Sequence, residues 1–211
     1  MKKLAYYFSI CFIAVQISSC KTEAKKEVTK DTEAPKTEVK TAPYSLNNAD
    51  NSINWTAYKT TDKAPVKGQF KKVNITSGGE GNSVKEAVNN AEFSVPVSSI
   101  FTKDTSRDFK IKKFFFGVMD KTQLLSGKLV LENDSIGYAD LTMNGVTKKL
   151  PFNYTITGKI FNMTGVMKIS DWNAEKALSS LNEACKDLHK GADGVSKTWD
   201  EVAINITSTF K

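Results

Sequence analysis

IGYADLTMNGVTKKLPFNYTIT, residues 136–157, reads as two strands folded back on one another. In its second half Leu150, Phe152, Tyr154 and Ile156 alternate with Pro151, Asn153 and Thr155. That is the period of a strand with one face in a core and the other in water. Between the halves stands Asn144-Gly145, the dipeptide that best tolerates the positive φ angles of a tight hairpin. Period and turn chemistry agree, so the surrounding fold is expected to be antiparallel β.

The same period continues in both directions. Upstream, Thr122 to Leu131 places Leu125, Leu129 and Leu131 on one face, with Gly127 as a candidate bulge. Ala91 to Ile100 does the same with Phe93, Val95 and Val97, and Pro96 on the other face suggests an edge or a bulge. Earlier still, Ile53, Trp55 and Ala57 alternate with Asn54, Thr56 and Tyr58, and a second strand runs from Gly68 through Val73 and Ile75. Downstream, Lys159 to Ile169 and Glu201 to Phe210 are further strands, the latter with Val202, Ile204, Ile206 and Phe210 on one face. Short, evenly spaced runs numbering about eight or more argue for a barrel or sandwich.

Two stretches break the pattern. In residues 174–190, Ala177, Leu178, Leu181, Cys185 and Leu188 recur at helical spacing, with Asp171 or Asn173 as caps and Gly191 as a stop. This helix is expected to pack on the barrel wall or across one end. The other stretch, SSIFTKDTSRDFKIKKFFFGVMD (residues 98–120), ends a strand and then carries Arg107-Asp108, several lysines and three consecutive phenylalanines. Such rings need apolar surface to cover, a core or a greasy ligand.

The chain has 211 residues, room for one ordinary domain and extra segments. Lys2 and Lys3 precede an apolar run from Leu4 to Ile17, too short to span a bilayer, which ends Ile17-Ser18-Ser19-Cys20. Residues 1–19 therefore read as a signal peptide. The cysteine at its end resembles a bacterial lipobox, which implies cleavage before Cys20 and a diacylglyceryl group on its sulfur. Residues 20–43 are rich in Lys, Glu, Thr, Ala and Pro and hold no aromatic residue, so a disordered tether is expected before a domain over 44–211.

Net charge is +7, but the lysines are scattered through turns, which disfavours nucleic acid as a partner and suits mild attraction to anionic headgroups. Of three cysteines only Cys185 would remain in the domain, which leaves no internal disulfide. Cys185 and His189 could hold half a metal site, and no other residue supports one, so none is expected. A single histidine and no nucleophile in a recognisable turn speak against an enzyme.

Several landmarks in fixed order resemble the YceI-like family of exported lipid-binding proteins. They are Val66-Lys67-Gly68-Gln69-Phe70, then Val97-Ser98-Ser99-Ile100 with Thr102 and Arg107-Asp108. Phe114-Phe115-Phe116-Gly117-Val118 follows, and Ala139 through Lys148 closes the set. The resemblance spans Tyr44 to Lys211. It implies an all-β fold, an eight-stranded antiparallel lipocalin-like barrel, here with one helix inserted before the last strand. It also implies a lumen that holds a long amphiphile such as a polyisoprenoid or quinone-like chain, and no other cofactor. By position, Arg107 and Asp108 resemble the family's charged pair near the mouth, and Phe114, Phe115 and Phe116 its aromatic segment beside the lumen. A local ion pair that pins the loop is the plainer reading of Arg107 and Asp108.

A barrel of that size either fills with side chains or leaves space for one ligand. The inward candidates are Trp55, Phe93, Val95, Leu129, Leu141, Met143, Phe152, Tyr154 and Met163, with Leu131 and Ile204 beside them. The expected function is non-enzymatic binding, storage or transport of an amphiphilic lipid at the bacterial cell envelope. There the protein would be held to the membrane, on the periplasmic or outer-membrane face, through Cys20. The alternative is an envelope interaction domain whose barrel is filled by its own side chains. Oligomeric state, a homodimer included, stays open.

Overall fold

Asn144 and Gly145 make the expected turn, both at positive φ (52° and 70°), between β9 (Ile136–Met143) and β10 (Val146–Thr157). The computed structural model describes residues 42–211. The expected signal peptide, the lipidation of Cys20 and nearly all of the tether lie outside the described residues.

The other strands are β1 (Tyr44–Ser45), β2 (Asp50–Lys59), β3 (Ala64–Phe70), β4 (Asn74–Ser77) and β5 (Glu80–Gly81). After these come β6 (Glu92–Pro96), β7 (Ile100–Phe101), β8 (Leu124–Leu131), β11 (Ile160–Lys168) and β12 (Thr198–Thr209). Three α-helices join them, α1 (Val84–Val88), α2 (Thr105–Lys110) and α3 (Glu175–Ala184). The main sheet is antiparallel throughout, in the order β4-β6-β8-β9-β10-β11-β12-β2-β3-β7, and β1 pairs with β5 separately.

β6, next to the β4 end of that order, and β7, its other end, belong to one stretch of chain. β6 pairs with β4 and β8, and after a 3-10 turn over Val97–Ser99 the same stretch continues as β7, which pairs with β3. The sheet therefore curls until its ends meet on residues 92–101. It has ten strands rather than the eight expected. The turn at Val97 splits a run that the alternation of Phe93, Val95 and Val97 presents as continuous. The chain after Phe70 likewise leaves β3 and starts β4 at the other end of the sheet.

Glycines on the inner face take aromatic rings from the neighbouring strand. Trp55 faces Gly68 across β2 and β3, and Phe93 faces Gly127 across β6 and β8. Gly127 thus marks a close ring contact in an unbroken ladder, where a bulge was expected. A Cβ added to Gly68 would stand 2.1 Å from Trp55 Cζ2. Gly68→Ala should therefore cost about 2–3 kcal/mol as the indole is forced off its position. A fall in the denaturant midpoint with an unchanged m-value would show it.

α3 is shorter than the span 174–190. It ends at Ala184 and is capped by Cys185, while Asn173 sits in the left-handed region (φ 53°) just before it and makes no side-chain cap. In the last turn of α3, Asn182 Oδ1 accepts from Thr198 Oγ1 (2.9 Å) and Ser196 Oγ (3.3 Å) on the returning chain. Leu188, past the end of α3, leaves the apolar stripe and is 57% exposed. Beneath α3, Trp172 is 1% exposed and donates from Nε1 to the Leu141 carbonyl at 2.8 Å.

Candidate functional site

The inner face of the curled sheet is not evenly filled. On β9, β10 and β11, Leu141, Met143, Leu150, Phe161 and Met163 are buried against one another. Opposite them, Ala57, Phe70, Phe93, Leu125, Leu129, Val202, Ile204 and Ile206 also point inward but are only partly buried. What they border is a cavity of about 210 Å³. Its lining is apolar apart from Asn51, Thr198 and Ser208. An engineered apolar cavity of about 150 Å³ already stays dry and accepts benzene, so one of this size and lining is suited to hydrocarbon rather than water.

Nearly all polar groups of the wall are already engaged. Ser208 Oγ donates to Asn51 Oδ1 at 2.6 Å, and Asn51 Nδ2 donates to the Leu46 carbonyl at 2.8 Å. Thr198 is held between Asn182 and His189. Trp199 Nε1 donates to the Thr60 carbonyl at 2.8 Å. Trp55 Nε1 is the exception, buried without a hydrogen-bond partner among the described residues.

One end of the cavity is covered by the stretch with the three phenylalanines. After α2 the chain forms a π-helical turn over Ile111–Phe115 and a 3-10 turn over Phe116–Val118. The Phe116 N–H donates to the Ile111 carbonyl, the five-residue step of a π turn, which brings these two side chains onto one face. Ile111, Phe115 and Phe116 are buried and line the cavity, and the two phenyl rings meet edge to face at 4.9 Å. Leu178 and Leu181 of α3 complete this cover.

Asp104 caps α2, accepting from the Arg107 N–H at 3.0 Å, and this contact holds its carboxyl below the ordinary range. Asp108 is buried, and its Oδ1 accepts from the Thr102 N–H (2.9 Å) and hydroxyl (2.7 Å). The cover is thereby pinned to the end of β7.

The expected residues thus divide. Trp55, Phe93, Val95, Phe115, Phe116, Leu129, Leu141, Met143 and Met163 all line the cavity. Arg107, Asp108, Phe114, Phe152 and Tyr154 do not. Arg107 pairs with Asp104 at 3.5 Å on the surface, so the local pin is the geometry observed, although its partner is Asp104 and not Asp108. Phe114 turns outward beneath Lys113. Phe152 packs over Gly137, and the Tyr154 hydroxyl donates to the Asn133 carbonyl. Sequence reasoning left out Phe70, Ile53 and Ala57, although the latter two share the face of Trp55. It also left out Leu178 and Leu181, whose helical spacing marked them for packing.

His189 lies where the chain returns from α3, with Nδ1 2.7 Å from Thr198 Oγ1. Burial, with Lys59 and Lys110 adding to it, lowers its pKa from 6.5 to about 4. A base with a lower pKa when folded takes up its proton more readily when unfolded. Stability is then unaffected above the ordinary imidazole range and falls as pH drops through the window from 6.5 to about 4. Thermal midpoints across the upper part of that window, above the titration of ordinary carboxylates, should decline with acid. His189→Gln should flatten the decline.

Residues 44–210 match the family model of the YceI-like domain. The chain belongs to the YceI-like family. Three solved structures share the fold of this family member at low identity. A polyisoprenoid-binding domain from Saccharophagus degradans, implicated in plant cell wall breakdown, is 12% identical with a TM-score of 0.57, covering 81% of this chain and 98% of its own. BcnA of Burkholderia cenocepacia is 16% identical with a TM-score of 0.50, over 78% and 98% of the two chains. A variant YceI protein of Campylobacter jejuni is 20% identical with a TM-score of 0.50, over 69% and 85%. The sequence has no match among curated proteins.

Proposed function

We propose that this YceI-like domain binds a long-chain amphiphile, a polyisoprenoid, quinone or similar lipid, in its cavity and performs no reaction on it. The observation that carries the reading is the cavity itself, about 210 Å³ with three polar residues in its lining. Burial of hydrocarbon there contributes about 25 cal/mol per Å² before ordering costs. Methionines at 143, 163 and 167 adapt to a flexible chain. The polyisoprenoid-binding domain of Saccharophagus degradans, which has this fold, supports the ligand class. The leader-like residues 1–19 and Cys20 support a location in the bacterial envelope, with Cys20 acylated and residues 20–43 as a tether, where such lipids reside.

Native mass spectrometry of protein purified from its own host, followed by organic extraction, tests the reading. A discrete extra mass released by extraction as a lipid is the expected result. A bare protein mass, with no uptake of added polyprenols or quinones, would overturn it in favour of a domain acting through its surface.

A further inference from the structure

The cover of the cavity has an outer face as well as an inner one. Within residues 103–113 stand five cations, Lys103, Arg107, Lys110, Lys112 and Lys113. The two carboxylates of the same run are occupied, Asp104 by the α2 cap and Arg107, Asp108 by Thr102. None of the four lysines forms an ion pair among the described residues. Phe109 lies among them, 56% exposed. Lys113 Nζ stands 5.5 Å from the Phe109 ring centroid and 5.2 Å from that of Phe114, so ammonium and rings form one cluster.

One exposed ring, Phe109, and a half-buried one, Phe114, beneath lysines without ion pairs suit the boundary between headgroups and acyl chains, where the exposed ring enters the interface and the ammonium groups meet phosphates. The same two turns line the cavity with Ile111, Phe115 and Phe116. A surface that engages this outer face therefore sits directly over the lipid-holding interior.

We propose that the outer face of residues 103–118 docks the domain on an anionic lipid bilayer, with the cover of the cavity against the membrane. This deepens the lipid-binding reading, but its test does not need a lipid inside the cavity. The mature chain from residue 20, carrying Cys20→Ser to remove the acylation site, is titrated with vesicles of phosphatidylcholine alone or mixed with phosphatidylglycerol. Each cation near an anionic surface is worth about fivefold in affinity, so mixed vesicles should bind at least about tenfold tighter, less so at high salt. Lys112→Glu with Lys113→Glu should remove that preference. Phe109→Ser should weaken binding to mixed vesicles several-fold.

Lys148→Glu with Lys149→Glu, the same charge change on exposed β10, should leave binding unaltered. Equal affinity for both vesicle types, as expected if the face serves an acidic protein instead, would overturn the proposal. So would equal loss from the two charge reversals, which would make net charge the cause. Native mass spectrometry of the same proteins reports separately whether the cavity holds lipid, so docking and carriage can fail independently.

Discussion

Ala57→Trp should exclude lipid from the cavity while leaving the domain as stable as before, or more so. Ala57 lines the cavity from β2 and is only partly buried, because the space in front of it is empty of side chains. In a close-packed core an added ring costs about 1–3 kcal/mol of strain. Here the indole has room, and the roughly 200 Å² it buries offsets ordering costs. That area is taken from the ligand, about 5 kcal/mol of contact at 25 cal/mol per Å², so loading should fall more than about a hundredfold. Leu129→Trp on β8 approaches the same space from another part of the wall and should act alike. Lipid uptake and thermal midpoint, measured together, decide the matter. Unchanged uptake at wild-type stability would mean that ligand does not occupy this space.

Asn144→Ala should lower stability by about 3 kcal/mol, or roughly 10 °C in midpoint for a domain of this size. Its Oδ1 accepts from the Asp120 N–H at 2.8 Å. Its Nδ2 donates to the carbonyls of Trp172 (3.0 Å) and Asn173 (2.9 Å). One side chain thus ties the hairpin turn to the chain leaving the cavity's cover and to the approach of α3. Its φ of 52° adds strain for alanine. Asn144→Gly should recover only the strain, and Asn144→Asp should keep the acceptor and lose both donors. Asn144→Gly as stable as the native chain would show that the side-chain bonds are idle.

Where neighbouring residues determine conformation together, the sequence was legible. The alternation through Leu150, Phe152 and Tyr154 and the turn at Asn144-Gly145 are local signals, and the hairpin formed as read. Inward direction was legible for the same reason, since Trp55, Phe93, Leu129 and Met163 follow from period two. What lies between inward side chains was not. Phe152 and Tyr154 point inward as surely as Met163, but glycines of adjacent strands leave room for Phe152 to pack, and Asn133 takes the tyrosine hydroxyl. Whether an inward residue meets a void or a neighbour depends on strands far away in the chain. The π turn at Ile111–Phe115 was illegible because Ile111, Phe114, Phe115 and Val118 stand at ordinary helical spacing, which hides the extra residue in the turn. It assigns Phe114 outward and Phe115 and Phe116 inward, a distinction that three identical letters do not encode.

The place of β12 in the sheet sets an order of assembly. The last strand made lies between β11, its near neighbour in the chain, and β2, the first long strand of the domain, with Thr209 opposite Asp50. Until residues 198–209 have emerged, β2 and β11 each present an unpaired edge, open to pairing with other chains. Closure must wait for contacts between the extremes of the sequence, which slows folding.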